Sequence, residues 1–233
     1  MNLIMFDIDG TLTASDVMDG ECFVQAVRDV FGFEDVSSDW SLYRHCSDSG
    51  VLDELFHTRV GRAPQPDEVA EVQAHFVKLM EASIAAQPLK AIPGAKELLE
   101  VLLTESRVAI SLASGAWECS ARLKLRSAGL DFPHIPGAFA DDAHAREDFM
   151  QASLQRVAQK HGREEFDSRV YIGDGVWDVR ASRNLGFGFI GIASEQSRIQ
   201  RLRDEGASVI FPDFTQRDAF RAALETARGQ SRM

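Results

Sequence analysis

The chain has 233 residues, 45% of them hydrophobic, and a formal net charge of -11. That length suffices for one buried α/β core plus a smaller second lobe. The acidic balance argues against nonspecific nucleic-acid binding, which usually needs a basic face, yet leaves a small anionic substrate open, because a bound divalent cation outweighs distant carboxylates. Cys22, Cys46 and Cys119 lie far apart and form no C-x-x-C pair. Neither a disulfide framework nor a structural zinc site is indicated, and the expectation is a reducing, cytoplasmic protein. Met1 runs straight into Leu3, Ile4, Met5 and Phe6 without a basic leader, and no apolar run approaches the ~20 residues that span a bilayer. No membrane partner is expected, and oligomeric state is left open.

In chain order, Leu3 to Phe6 is a short apolar run ending at Asp7, as in a strand buried on both faces of a parallel sheet. Between Thr13 and Ala91 no buried strand is found, and the stretch is too long for a loop. Val17, Val24, Val27, Val30 and Phe31 suggest one helix there; Val69, Val72, Phe76, Leu79 and Met80 suggest another. Residues 14–90 therefore read as a helical cap inserted after the first strand, between core segments 1–13 and 91–233. Beyond it, strands near Val108 to Ala113, Gly137 to Ala140, Val170 to Ile172, Phe189 to Ile192 and Val209 to Phe211 alternate with helical patterns. The helices are Ala95 to Leu103, Trp117 to Ala128, Arg146 to His161, Val176 to Asn184 and Gln196 to Glu205. Residues 213–233 read as a last amphipathic helix and a polar tail. Such alternation implies βαβ units, a parallel sheet covered by helices on both faces, and a site at the carboxyl ends of the strands.

The chemistry concentrates at two strand ends. In Asp7-Ile8-Asp9-Gly10-Thr11, residues two apart in extended chain face the same side, so Asp7 and Asp9 converge, and Gly10 permits a sharp turn. In Tyr171-Ile172-Gly173-Asp174-Gly175-Val176-Trp177-Asp178, a second strand ends in Asp174, and Asp178 follows one helical turn later on the same face. Four carboxylates at one edge repel unless protons or a hard divalent cation intervene. The plainer alternative for Asp178 is an acidic cap on a helix N-terminus.

These two stretches resemble the first and fourth motifs of the haloacid dehalogenase-like hydrolase superfamily. The likeness is to its phosphoglycolate-phosphatase-like branch, which carries a helical cap after the first motif. It implies a Rossmann-like parallel sheet with a small α-helical cap, and a phosphatase that uses Mg2+ to hydrolyse a small phosphorylated metabolite through an aspartyl-phosphate. By that resemblance Asp7 is nucleophile and metal ligand. Asp9 is general acid and base, with its main-chain carbonyl on the metal, and Asp174 completes the ligands. Asp178 and Thr11 act behind them. The second motif falls on Ser114 and Gly115, whose hydroxyl and backbone N–H can hold a phosphate oxygen. Ser111 lies about 10 Å back along the strand, inside the sheet. For the cation of the third motif, Arg146 opens its helix at the carboxylate edge, whereas Lys160 sits roughly 20 Å along the same helix. The alternative for Arg146 is a surface pair with Glu147, Asp148 or Asp142.

Other residues are not promoted. His45, Cys46 and His144 lack any metal-ligand spacing. The cap's Phe and Val residues read as its own core, and Arg44, Asp48, Arg59 and Arg62 as candidates for selecting substrate. Ser47-Asp48-Ser49-Gly50 reads as a polar turn in solvent, able to reach back over the site. Metal-free dehalogenation is disfavoured by Asp9 and Asp174. A Schiff-base phosphonatase is disfavoured, since the cap interior offers only Lys78 and such an enzyme has no equivalent of Asp9. A phosphosugar mutase is the alternative enzyme, and a non-catalytic member of the fold is the alternative of another class.

Overall fold

The computed structural model describes residues 1–230. Six parallel strands form one sheet in the order β3-β2-β1-β4-β5-β6: β1 Asn2–Phe6, β2 Val108–Ala113, β3 Gly137–Ala138, β4 Ser168–Gly173, β5 Gly188–Ile192 and β6 Ile210–Phe211. The strand order reverses beside β1, so the crevice at its carboxyl end is the place where such sheets bind ligands. Strands β1, β2 and β4 are buried at nearly every position because both faces are covered. On one face Ile4, Phe6, Ile110 and Ile172 pack with Leu98, Leu99, Phe214 and Phe220. On the other, Leu3, Met5 and Tyr171 pack with Phe149, Met150 and Val157. The covering helices are α4 Ala95–Thr104, α5 Glu118–Ser127, α6 Arg146–His161, α7 Val176–Leu185, α8 Gln196–Asp204 and α9 Arg217–Gln230. Residues 231–233 of the expected polar tail lie outside the described residues.

Between β1 and β2 stand α1 Asp16–Phe31, α2 Asp48–Arg59 and α3 Pro66–Ala86, with a 3-10 turn at Trp40–Leu42. Their interior is Phe23, Ala26, Val27, Val51, Leu52, Phe56, Val72, Phe76 and Met80, joined by Trp117 from the sheet side. Trp117 lies 5.6 Å from the Phe23 ring and 5.9 Å from that of Phe76. The buried face of α1 runs through Asp19, Cys22, Phe23, Ala26 and Val27, while Val17 is 66% exposed. The valine pattern therefore misjudges that face, because the large Phe23 ring sets the contact. The two passages between sheet and helices are stitched together. Ala14 N–H donates to the Lys90 carbonyl and Ile92 N–H to that of Leu12, at 2.9 Å each.

Candidate active site

Strand β1 stops at Phe6, but Asp7 N–H still donates to the Ile172 carbonyl, at 2.9 Å, which fixes the nucleophile candidate at the sheet's edge. The chain then turns back, with the N–H groups of Thr11, Leu12 and Thr13 all donating to the Ile8 carbonyl. Gly10 adopts φ 71° at that turn, and a Cβ there would stand 2.2 Å from Asp174 Oδ2. Only glycine gives both the left-handed backbone and the room for Asp174. One carboxylate oxygen from each of Asp7, Asp174 and Asp178 lies within 4.8 Å of the others. Burial pushes the Asp7 carboxyl up to about 7, with Asp178 adding and Arg146 opposing. Burial, then Asp7 and Asp178, push Asp174 well above the usual carboxylate range. Asp7 Oδ1 is buried without a hydrogen-bond partner. An orphaned oxygen among crowded carboxylates is the donor set that a hard divalent cation satisfies, so the residues fit Mg2+.

Asp178 does two things at once. Its Oδ2 accepts from Gly175 N–H at 2.9 Å, capping α7, and its Oδ1 lies 2.8 Å from Arg146 Nη1. Arg146 opens α6 with its side chain 9% exposed: Nη1 donates to Tyr171 Oη at 3.0 Å and lies 3.7 Å from Asp7, and Nη2 donates to the Cys46 carbonyl. Burial alone would weaken its charge, but Asp178, Tyr171 and Asp7 hold its pKa above the ordinary arginine value. The surface-pair alternative does not describe it. Lys160 donates to the His134 carbonyl instead. Ser114 is buried just past β2, its N–H on the Ala138 carbonyl and its Oγ accepting from Ala116 N–H. Ser111 is fully buried within β2. Thr11 is also buried, its hydroxyl unpartnered.

The segment Ser47 to Gly50 is not a solvent turn. Asp48 opens α2, Ser47 and Asp48 are buried, and both fasten the helices onto the sheet's edge. Ser47 Oγ donates to the His144 carbonyl at 2.7 Å, Asp48 N–H to the Gly115 carbonyl at 2.8 Å, and Trp117 N–H to Asp48 Oδ2 at 2.9 Å. A Cβ on Gly115 would stand 2.5 Å from the Cys46 carbonyl. The sequence reads as solvent here because Ser47, Asp48 and Ser49 in a row look hydrated, whereas Ser47 and Asp48 have backbone of the other layer to satisfy them and Ser49 meets the His144 ring. Beneath the seam lies a cavity of about 500 Å³. Asp7, Asp9, Ser114, Gly115, Arg146 and Asp174 all line it. Arg44, Arg59 and Arg62 do not. Arg59 and Arg62 instead lie over the Phe33 and Phe56 rings.

A family model for haloacid dehalogenase-like hydrolases matches residues 1–186. The chain belongs to this family of hydrolases. No curated protein matches it significantly by sequence. Among solved structures, a hydrolase from Pseudomonas syringae is 22% identical with a TM-score of 0.71, over 94% of this chain and 99% of that one. A protein assigned as a β-phosphoglucomutase from Bacteroides vulgatus is 17% identical with a TM-score of 0.69, over 99% and 91%. CbbY from Rhodobacter sphaeroides, solved with phosphate, is 18% identical with a TM-score of 0.64, over 92% and 95%. These likenesses establish the shared fold.

In this hydrolase Asp9 stands apart from the three clustered carboxylates. Its Oδ1 accepts from Ser15 Oγ at 2.5 Å and its Oδ2 from Lys124 Nζ at 2.7 Å. Lys124 on α5 is wholly buried and donates also to Asp19 of α1 at 2.5 Å. Burial would lower its pKa, but Asp19, Asp9 and Asp48 together keep it well above the usual lysine value. Burial also lifts Asp19 to about 6 against the pull of Lys124. Sequence reasoning missed Lys124 and Asp19. The available signal is that each is a charged residue on a buried helical stripe, Lys124 between Ala121 and Leu125 and Asp19 four residues before Phe23. Arg198 of α8 was missed too; it pairs with Asp16 of α1 and with Asp174.

Proposed function

We propose that this hydrolase is a Mg2+-dependent phosphatase that cleaves a small phosphate monoester through an aspartyl-phosphate on Asp7. The observation that carries the reading is the buried Asp7 Oδ1, which accepts no hydrogen bond, clusters with Asp174 and Asp178 and lies 3.7 Å from Arg146 in the cavity. Bound Mg2+ would neutralise charge on the carboxylate and the phosphate as they approach. Asp7 and Asp174 would hold it with the Asp9 main-chain carbonyl, and Asp178 and Thr11 would support that set from behind. In the first step Asp7 attacks phosphorus, the bond to the leaving oxygen breaks, and Asp9 supplies that oxygen's proton. In the second, Asp9 takes a proton from water as the water oxygen bonds to phosphorus and the bond to Asp7 breaks. Ser114, the Gly115 N–H and Arg146 hold the phosphoryl oxygens.

The helices of residues 14–90 act as the cap over a core of residues 1–13 and 91–233. A cavity of about 500 Å³ suits a small metabolite, and phosphate binding by CbbY on the same fold supports the class of ligand. Among the described residues no helix is long and apolar enough to cross a membrane.

The test is phosphate release from an aryl phosphate and a panel of metabolite phosphates, with Mg2+ or chelator, in wild type and Asp7→Asn. Turnover that needs both Mg2+ and Asp7 supports the phosphatase. A stable phosphoenzyme that returns phosphate to a second sugar hydroxyl instead of water would replace it with the mutase.

A further inference from the structure

The two carboxylates given chemical work each have their own cation, and only one of those cations belongs to a recognised motif. Arg146 faces Asp7. Lys124 faces Asp9, and it comes from the outer helix α5, not from a strand end. An ammonium with no exposed surface carries a large desolvation cost unless its neighbours repay it. Here the neighbours are specific. Asp9 at 2.7 Å belongs to the sheet's edge, Asp19 at 2.5 Å to α1 of the cap, and Ser15 Oγ fixes the remaining Asp9 oxygen at 2.5 Å. Ser15 is itself held at 2.6 Å from Thr13 Oγ1, within the stitched passage into the cap. Every fixed point of the Asp9 carboxylate thus lies either on the cap, at its edge, or on a lysine that the cap covers.

We propose that Lys124 and Asp19 are positioning residues that tie the orientation of Asp9 to the seating of the cap. With the cap seated, Asp19 anchors the Lys124 ammonium and the ammonium holds Asp9 as a carboxylate, the form that takes the proton from water in the second step. When α1 moves away, Lys124 loses that anchor and Asp9 loses its fixed direction. The cap then covers the substrate and also sets the proton-transfer group. This inference rests on the phosphatase reading above.

The test is a double-mutant cycle on phosphate release. Lys124→Met, Lys124→Arg and Asp19→Asn are each measured in wild-type and Asp9→Asn backgrounds, under single turnover where rates are low. Residues that act through Asp9 lose their effect once Asp9 is gone. For Lys124→Met and Asp19→Asn, kcat should fall about 10- to 100-fold in the wild-type background and less than about 3-fold in Asp9→Asn, with KM nearly constant. Lys124→Arg should recover part of the loss. Asp19→Asn keeps size and hydrogen bonding, so it reports even where Lys124→Met does not fold. Equal falls in both backgrounds, or a change in thermal stability and KM with kcat untouched, would overturn the proposal and leave Lys124 a structural ion pair. A wild-type protein that releases phosphate from no ester would overturn the phosphatase reading itself, and this inference with it.

Discussion

Arg146 Nη1 lies 2.8 Å from Asp178 Oδ1, so the first residue of α6 and the first turn of α7 meet across the end of β4. The guanidinium also reaches Tyr171 Oη and the Cys46 carbonyl, and an ammonium cannot serve all three directions from one position. Arg146→Lys should therefore behave almost as badly as Arg146→Met. Both should lose roughly 100-fold or more in kcat/KM, on the scale of a lost transition-state donor. A lysine variant within a few-fold of wild type would show that only the charge matters.

Asp178→Asn separates the two functions of that side chain. The amide oxygen can still accept from Gly175 N–H and cap α7, but the charge facing Arg146 is gone. Thermal stability should fall, because the guanidinium loses its nearest carboxylate, and apparent Mg2+ affinity should drop about 10- to 100-fold, as for other residues that orient a metal's ligands. A Mg2+ titration of activity beside a melting curve reads both.

The pH dependence of the metal-free protein has a definite sign. A carboxyl raised from 3.8 to about 7, as for Asp7, keeps in the folded state a proton that the unfolded chain has released. Its contribution to stability is complete below pH 3.8 and is lost as pH rises through about 7. Asp19 acts the same way up to about 6. In chelator, melting temperature should thus decline from pH 5 to pH 8, and Mg2+ should restore more at pH 8 than at pH 5. Asp7→Asn should flatten that slope; an unchanged slope would remove Asp7 as its source.

Gly115→Ala places a methyl 2.5 Å from the Cys46 carbonyl, where the inserted helices meet the sheet's edge. The carbonyl belongs to backbone that Ser47 and Asp48 hold in place. We expect KM to rise at least several-fold and stability to fall by about 1–3 kcal/mol, the usual result of overpacking a tight contact. Limited proteolysis should cut between residues 32 and 47 sooner than in wild type.

Much of this architecture is readable before any coordinates, and particular residues show why. Asp7 and Asp174 follow unbroken apolar runs, so strand, edge and site are announced by one local pattern. Arg146 is placed by helix length alone, since a helix start and a strand end share an edge. Lys124, Asp19 and Arg198 are different. Lys124 meets Asp9 and Asp19, and Arg198 meets Asp16 and Asp174, all far away in sequence, and a lone charge on a helix looks the same whether solvent or an opposite charge awaits it. The seat of Ser47 and Asp48 is hidden for a similar reason, because its acceptors and donors are backbone groups of His144, Gly115 and Trp117. Backbone partners leave no mark on composition.

The strand that carries Asp7 has a consequence for biosynthesis. Asn2 pairs with Val108 on one side and Ser168 on the other, so β1 is synthesised long before either neighbour exists. Contacts so distant along the chain form late and slowly. A nascent chain therefore has no assembled reaction centre until β4 and the start of α7 have left the ribosome, while α1, α2 and α3 can already gather around Phe23 and Phe76. Translation makes the inserted helices before the sheet that they pack against.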